Sequence, residues 1–332
     1  MNQSAVGILG TGSYLPKEEI DNAEIAARTH VSEEWIARRT EILTRRWAAP
    51  DEATSDLAAK AAEAALSQSG LAPGEIDYLI VSTSTGDSPQ PPTSNVVQQI
   101  IGAHRAACLD INVVCSGFVY ALALAHSLIT THPRRRALVV AADVYSRILD
   151  FDDHRTAVLL GDGAGAAVVG QVPEPYGFVD FSLVSRGDAH RLIWVDAGGS
   201  RTPASHESVD NGGHFFRMDG RGVRDFVLEH VPPVLSALGT RNQIPMEDID
   251  HFVPHQPNGV LLRQLVDVAG LNSARTHRTL ECYGNVGSAS VPVALDSAHR
   301  TGALKAGDLV LLAAFGGGMA IGACLLRWGA ER

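Results

Sequence analysis

The chain has 332 residues, of which 45% are hydrophobic and 19% charged, with 32 glycines; this is the composition of a well-buried globular protein, not of a disordered or fibrous one. A formal net charge of −10 argues against non-specific nucleic-acid binding, and an acidic protein partner would need a local basic patch. The four cysteines (Cys108, Cys115, Cys282, Cys324) are widely spaced with no CxxC, so neither a disulfide framework nor a metal site is expected. The N-terminus carries no signal-like pattern, and no apolar run is expected to reach about 18 residues without polar breaks. A reduced, cytoplasmic protein that does not enter a membrane follows as the expectation.

In chain order, the first local feature is a basic cluster, Arg38, Arg39, Arg45 and Arg46, with a second at Arg134, Arg135 and Arg136. Each reads either as solvated surface or as a docking patch. The helix-like LAAKAAEAALSQSG then leads into EIDYLIVS (75–82), a buried strand. Next, LDINVVC turns from a strand-like run directly into the apolar, helix-like SGFVYALALAHSLI (116–129). Cys115 sits at that seam, where unpaired backbone N–H groups and the positive end of the helix dipole favour a thiolate and could hold an oxyanion. ALVVAADV (137–144) reads as a core strand and GDGAGAAVVG (161–170) as a Gly-rich turn into another. GDGAG lacks the Lys-Ser/Thr of a phosphate loop, so a tight core turn is expected there.

Residues 171–215 are rich in turn formers and read as a connection with a partly exposed loop at 197–213. After it the first pattern returns. RDFVLEHVPPVLSALG precedes DIDHFVPH (248–255), GSASVPVALDSAHR (287–300) parallels 116–129, and DLVLLAAF (308–315) parallels 137–144. GGGMAIGACLL (316–326) parallels 161–170. The repeat predicts an α/β protein with a duplicated, five-layer αβαβα body and two mixed sheets. The expected division is 1–172, a connection 173–216, and 217–332. In such a body, strand-end loops from the two halves meet near the pseudo-twofold axis. Cys115, His255 in FVPHQPNG and Asn285 in CYGNVGSAS occupy positions of that kind. Taken singly, His255 reads as structural and Asn285 as a turn or cap residue.

EEWIARRT, RRWAAPDEATSDLAAKAAEAAL, DINVVCSGFVYAL, LLGDGAGAAVV, RMDGRGV, VPHQPN, YGNVGSAS and FGGGM, in this order along essentially the whole chain, resemble the β-ketoacyl-acyl carrier protein synthase III family of the thiolase superfamily. The resemblance implies a thiolase-like fold and a Cys115–His255–Asn285 site. Cys115 would take an acyl group from an acyl thioester, with the backbone N–H groups of Cys115 and Gly317 as oxyanion hole. His255 and Asn285 would donate hydrogen bonds to the carbonyl of a malonyl thioester as it loses CO2, and the carbanion would attack the acyl-enzyme. A β-ketoacyl thioester of fatty-acid or polyketide type results, with no cofactor and no metal. The alternative on the same fold is an acyltransferase that passes the acyl group to a carrier thiol, hydroxyl or amine without decarboxylation. An amide at Asn285, a donor where a carboxylate would be an acceptor, favours condensation.

The resemblance further implies coenzyme A or acyl carrier protein as substrate carriers, a homodimer, a pocket shaped by Phe315, Gln90 and Arg224, and a coenzyme A or pantetheine site at Trp35, Arg39, His154 and Asn258. Gln90 would reach across the dimer interface. Several positions depart from the family pattern: Val31 stands where Thr is common, His154 where Arg is common, Arg224 for Phe, Glu41 for Gly, and Val260 for an Arg that helps dock the carrier protein. These departures leave the chemistry intact and the thioester carrier open; they predict a specialised member serving a polyketide or another secondary pathway, whose acyl group need not be acetyl.

Overall fold

The protein is described by a computed structural model covering residues 4–329; residues 1–3 and 330–332 of the expected halves lie outside the described residues. Two five-stranded mixed sheets form its frame. The N-terminal sheet runs in the order Ser4–Tyr14, Asp162–Pro173, Ala137–Val144, Tyr78–Ser82, Ala107–Ile111. The C-terminal sheet runs Gly177–Ser185, Ala320–Arg327, Leu309–Gly316, His251–Pro254, Arg275–Thr276. In these directions the two have the same topology, with antiparallel pairs at the first two junctions and parallel pairs at the last two.

Central strands such as Ala137–Val144 and Leu309–Gly316 are buried along their whole length, which is why they read as unbroken apolar runs and not as alternations. The period of two still sorts the side chains by face. Leu138, Val140 and Ala142 join the Ala-rich helix Thr54–Ser69 on the outer face, whereas Val139 and Ala141 join the helices between the sheets. Those central helices are Gly117–Thr131 and Ser290–Arg300, whose Phe118, Leu122, Val291 and Leu295 fill the space between Val139 of one sheet and Leu312 of the other. Gly220–Arg241 and Gly259–Val268 cover the outer face of the C-terminal sheet. The expected five layers are therefore present. GDGAG is strand rather than turn from Asp162 onward. Its Gly165 admits the helix Ser290–Arg300, since a Cβ there would lie 2.7 Å from Pro292.

Two further expectations need correction. The segment 173–216 is not a connection: Gly177–Ser185 is the first strand of the C-terminal repeat, so the second half of the fold begins there. Each half then makes a long excursion after its first strand and before the first helix that covers its sheet. Residues 15–53 carry two short helices and a two-stranded ribbon; residues 186–219 carry the paired strands Ile193–Val195 and Phe216–Met218. Secondly, the first basic cluster is not one surface. Arg45 is fully buried, donating to Asn22 Oδ1 at 2.9 Å and to the Val158 carbonyl at 2.8 Å, and burial pushes its pKa down to about 10; Arg46 pairs with Glu19. Val114–Thr131, with mean hydropathy 1.5 over 18 residues, is long and apolar enough by composition to cross a membrane, although Ser116, His126, Ser127, Thr130 and Thr131 break its apolar run as expected. Here it holds the helix between the two sheets, and half of it is buried inside the protein.

Candidate active site

Cys115 lies in a three-residue turn, Val114–Ser116, between the strand Ala107–Ile111 and the helix Gly117–Thr131. Val114 has φ 45°, a conformation that a β-branched residue rarely adopts, so the chain is bent sharply just before Cys115. Gly316, at the end of the neighbouring half's strand, lies against it: a Cβ there would fall 2.6 Å from Cys115 Cβ and 3.1 Å from its sulfur. Gly317 follows in the turn beside Val114. The second half builds a matching turn, Gly287–Ala289, opened by Gly287 at φ 57° and running into Ser290–Arg300. In this correspondence Ser288 holds the place that Cys115 holds in the first half. Ser116 Oγ donates to the Ala320 carbonyl at 2.9 Å, tying the first turn to the opposite sheet.

His255 follows the strand His251–Pro254, and its N–H donates to the Ala313 carbonyl at 2.7 Å. Its ring meets Phe315 edge-on at 5.4 Å, and burial holds its pKa down to about 3. The imidazole is therefore neutral at physiological pH. Its Nδ1 is buried without a hydrogen-bond partner among the described residues. A ring with the proton on Nε2 leaves Nδ1 a bare acceptor and keeps a donor at the other end.

Asn285 is placed by backbone bonds on both sides, its N–H to the Leu159 carbonyl at 2.8 Å and its carbonyl accepting from Gly161 at 3.0 Å. Its Oδ1 accepts from the Gly287 N–H at 3.0 Å. That bond fixes the amide orientation, because only the oxygen can accept, and leaves the NH2 as the available donor. Cys115, His255 and Asn285 are 7%, 2% and 9% exposed, and all three line one cavity of about 40 Å³. Tyr145, Leu160, Ile193, Phe216, Phe315 and Gly316 form much of its wall.

The thiol is not held as a thiolate in the resting protein. Burial pushes the Cys115 pKa up, and the charge of Asp143 adds to this; only a backbone hydrogen bond acts the other way. The expectation that the helix N-terminus would dominate is thus reversed by desolvation.

Asp143 carries no signal in the sequence beyond being the one charge in ALVVAADV. It is fully buried, and burial raises its pKa. Its Oδ1 accepts from Ser84 N and Oγ, both at 2.9 Å, and its Oδ2 accepts from Ser288 N at 2.8 Å and Oγ at 2.7 Å. One carboxylate therefore ties a strand end of the first half to the turn that carries Asn285 and Ser288. Tyr145 joins the same network through Ser84 Oγ at 2.7 Å.

A wider cavity of about 550 Å³ adjoins the reactive one and shares Leu159, Met218, Val223, Pro257 and Asn285 with it. Trp35, Arg39, His154, Arg224 and Asn258 line this mouth together with Arg155 and Val260. Trp35 packs edge-on against His154 at 5.5 Å. Arg224 pairs with Asp225 and donates to Gln264, and Asn258 Oδ1 caps the helix Gly259–Val268 by accepting from Leu261. Phe315 stands in the reactive cavity, but Gln90 lies in an exposed loop outside both cavities of its own chain. Ile193, Phe216 and Met218, from the second half's excursion, close over Cys115; their short strands in a turn-rich stretch give little signal in the sequence.

Comparison with known proteins agrees with this geometry. Residues 109–187 match the family described as 3-oxoacyl-[acyl-carrier-protein (ACP)] synthase III, and residues 240–328 match its C-terminal family. The chain is 46% identical over 324 residues to acetoacetyl CoA synthase NphT7 of Streptomyces sp. (strain CL190), covering 97% of this chain and 98% of that one. This chain belongs to the 3-oxoacyl-acyl carrier protein synthase III family. It is 41% identical to the β-ketoacyl-[acyl-carrier-protein] synthase III of Caldanaerobacter subterraneus subsp. tengcongensis, with 98% of each chain covered. Among solved structures, 3-oxoacyl-(acyl carrier protein) synthase III of Pseudomonas aeruginosa PAO1 superposes with a TM-score of 0.90 at 34% identity over 98% of each chain. The priming β-ketosynthase of the R1128 polyketide pathway superposes at 0.92 with 32% identity, over 100% of this chain and 98% of that one. The protein is accordingly a thiolase-fold condensing enzyme of the acyltransferase type.

Proposed function

We propose that this enzyme loads a short acyl group, acetyl above all, from coenzyme A onto Cys115 and condenses it with a malonyl thioester to give a β-ketoacyl thioester and CO2. The observation that carries the reading is the joint placement of a thiol, a neutral imidazole and an oriented amide in one small, largely apolar cavity. In the first step Cys115 sulfur bonds to the acyl carbon, the bond from that carbon to the coenzyme sulfur breaks, and the thiol proton leaves with coenzyme A. In the second, the malonyl thioester carbonyl accepts from His255 and Asn285 while its C–CO2 bond breaks. The electron pair becomes an enolate, stabilised by two donors already in place. Its carbon attacks the acyl-enzyme, the C–S bond to Cys115 breaks, and the sulfur regains a proton. The backbone N–H groups of Cys115 and Gly317 are the proposed oxyanion hole for both tetrahedral intermediates.

Cavity size argues for a short primer. At roughly 10–15 Å³ per water-sized group, about 40 Å³ accommodates the three non-hydrogen atoms of an acetyl group and little more. The mouth suits coenzyme A, with the Trp35 face for an adenine and Arg39 and Arg155 for phosphates. A homodimer through the open edge of Ala107–Ile111 would cover the unpaired side of that strand, and free thiols at all four cysteines suit a reducing cytoplasm. The test is intact-mass analysis after incubation with acetyl-CoA and longer acyl-CoAs. An acetyl increment mapped to the Cys115 peptide and lost in Cys115→Ala is expected, with longer chains transferring progressively less; an increment on another residue refutes the assignment.

A further inference from the structure

Arg45 is a buried cation that the reaction described above does not use. It comes from the short strand Thr44–Trp47 and is fully buried, yet its hydrogen-bond partners are all neutral oxygens. Nη1 donates to the Ile20 carbonyl at 3.5 Å and to Asn22 Oδ1 at 2.9 Å, and Nη2 donates to the Val158 carbonyl at 2.8 Å. Its Nε is buried with no partner among the described residues. A cation desolvated and incompletely satisfied in this way is a poor source of stability. What a guanidinium supplies is direction, because its planar fork fixes acceptors relative to one another. Departures of this kind from local rules gather where a fold holds a site.

The acceptor on Nη2 lies beside Asn285. Residues 158–161 make three successive peptide units. Arg45 holds the carbonyl of the first, the Asn285 N–H holds the carbonyl of the second (Leu159, 2.8 Å), and the Asn285 carbonyl accepts from the N–H of the third (Gly161, 3.0 Å). The stem of the arginine packs along the same line. Its Cβ lies 3.1 Å from the place a Cβ on Gly161 would take, and 3.4 Å from that of one on Gly284, which precedes Asn285 with φ 65°. The Gly287 N–H sets the rotation of the amide, but the main chain that carries it rests on the segment Arg45 holds. Through Nη1 the guanidinium reaches the other way, into the first excursion. There Asn22 Nδ2 donates to the Ile42 carbonyl at 2.8 Å, just past the helix Glu33–Thr40 that brings Trp35 and Arg39 to the mouth. Cys115 is held separately, by the bond of Ser116 to the Ala320 carbonyl.

Building on the condensation reading above, we propose that Arg45 is a positioning residue for the malonyl half-reaction, holding the 158–161 backbone so that the Asn285 amide stands where the malonyl carbonyl accepts from it. The experiment follows the two half-reactions of the full-length enzyme separately: acetylation of Cys115 by acetyl-CoA, read by intact mass, and release of labelled CO2 from carboxyl-labelled malonyl-CoA by the acetyl-loaded enzyme. Arg45→Lys keeps the charge but not the fork. It should acetylate within about twofold of wild type and decarboxylate about tenfold or more slowly, the scale on which a small misplacement of a catalytic donor is felt. Asn22→Ala, which frees one branch of the guanidinium, should slow the same half-reaction by about threefold, and it decides the matter if Arg45→Lys does not fold. Adding Arg45→Lys to Asn285→Ala should cost little beyond Asn285→Ala alone, since residues acting through one group are not additive. Equal loss of both half-reactions, unchanged decarboxylation in Arg45→Lys and Asn22→Ala, or full additivity with Asn285→Ala overturns the proposal. If Asn285→Ala itself decarboxylates like wild type, the condensation reading fails instead.

Discussion

At the level of single residues, the thiol and the imidazole of the candidate site both rest neutral. Burial and Asp143 push the Cys115 thiol up, and burial pushes His255 down to about 3. The thiolate fraction of a group below its pKa rises tenfold per pH unit. Alkylation of Cys115 by iodoacetamide is therefore expected to accelerate steadily from pH 6 to pH 9 without a plateau, followed by mass spectrometry of the Cys115 peptide. A plateau near pH 7 would show an activated thiolate and contradict a thiol held neutral by desolvation. His255, already neutral throughout that range, adds no inflection. Cys115, His255 and Asn285 are legible in the sequence because each follows a strand end or opens a helix in a duplicated pattern. The protonation state is not, because a helix N-terminus can be read locally, whereas desolvation depends on the whole surround. Asp143 stands in plain view as one acid in an apolar strand, but its partners Ser84 and Ser288 lie 59 and 145 residues away.

Among elements, the two matching turns at Val114–Ser116 and Gly287–Ala289 set the geometry of the site. A Cβ on Gly287 would lie 2.5 Å from Asp143 Oδ2 and 2.4 Å from the Tyr145 ring, with φ already at 57°. Gly302 has a similar φ of 66° with nothing within 4 Å. Comparing the two separates conformational strain from crowding. Gly302→Ala should lower stability by about 1 kcal/mol, and Gly287→Ala by roughly 2–4 kcal/mol, measured by urea unfolding. Equal losses would mean that the Gly287 turn yields and does not hold Asn285 in place. The strands bearing the reactive residues are readable from their apolar runs. Gly177–Ser185 is hidden because the turn-rich QVPEPYG before it and the Gly- and Ser-rich loop after it mask nine residues of strand. Arg45 is hidden for the opposite reason: a charged pair in TRRW reads as surface, yet its guanidinium reaches three acceptors in two distant segments, Ile20–Asn22 and Val158.

For the molecule as a whole, duplication brings the site together. The first half supplies Cys115 and the second His255 and Asn285, while the excursion after each half's first strand builds one side of the entrance. The first excursion contributes Trp35 and Arg39 to the mouth, and the second contributes Ile193, Phe216 and Met218 over the acyl cavity. The most direct test of decarboxylative condensation follows acetyl-loaded enzyme mixed with carboxyl-labelled malonyl-CoA in a single turnover. Labelled CO2 and a four-carbon β-ketoacyl thioester are predicted in equal amounts, with Cys115 returned to the free thiol. Loss of acetyl from Cys115 with the label still on the malonyl group would contradict condensation and make the protein a simple acyltransferase.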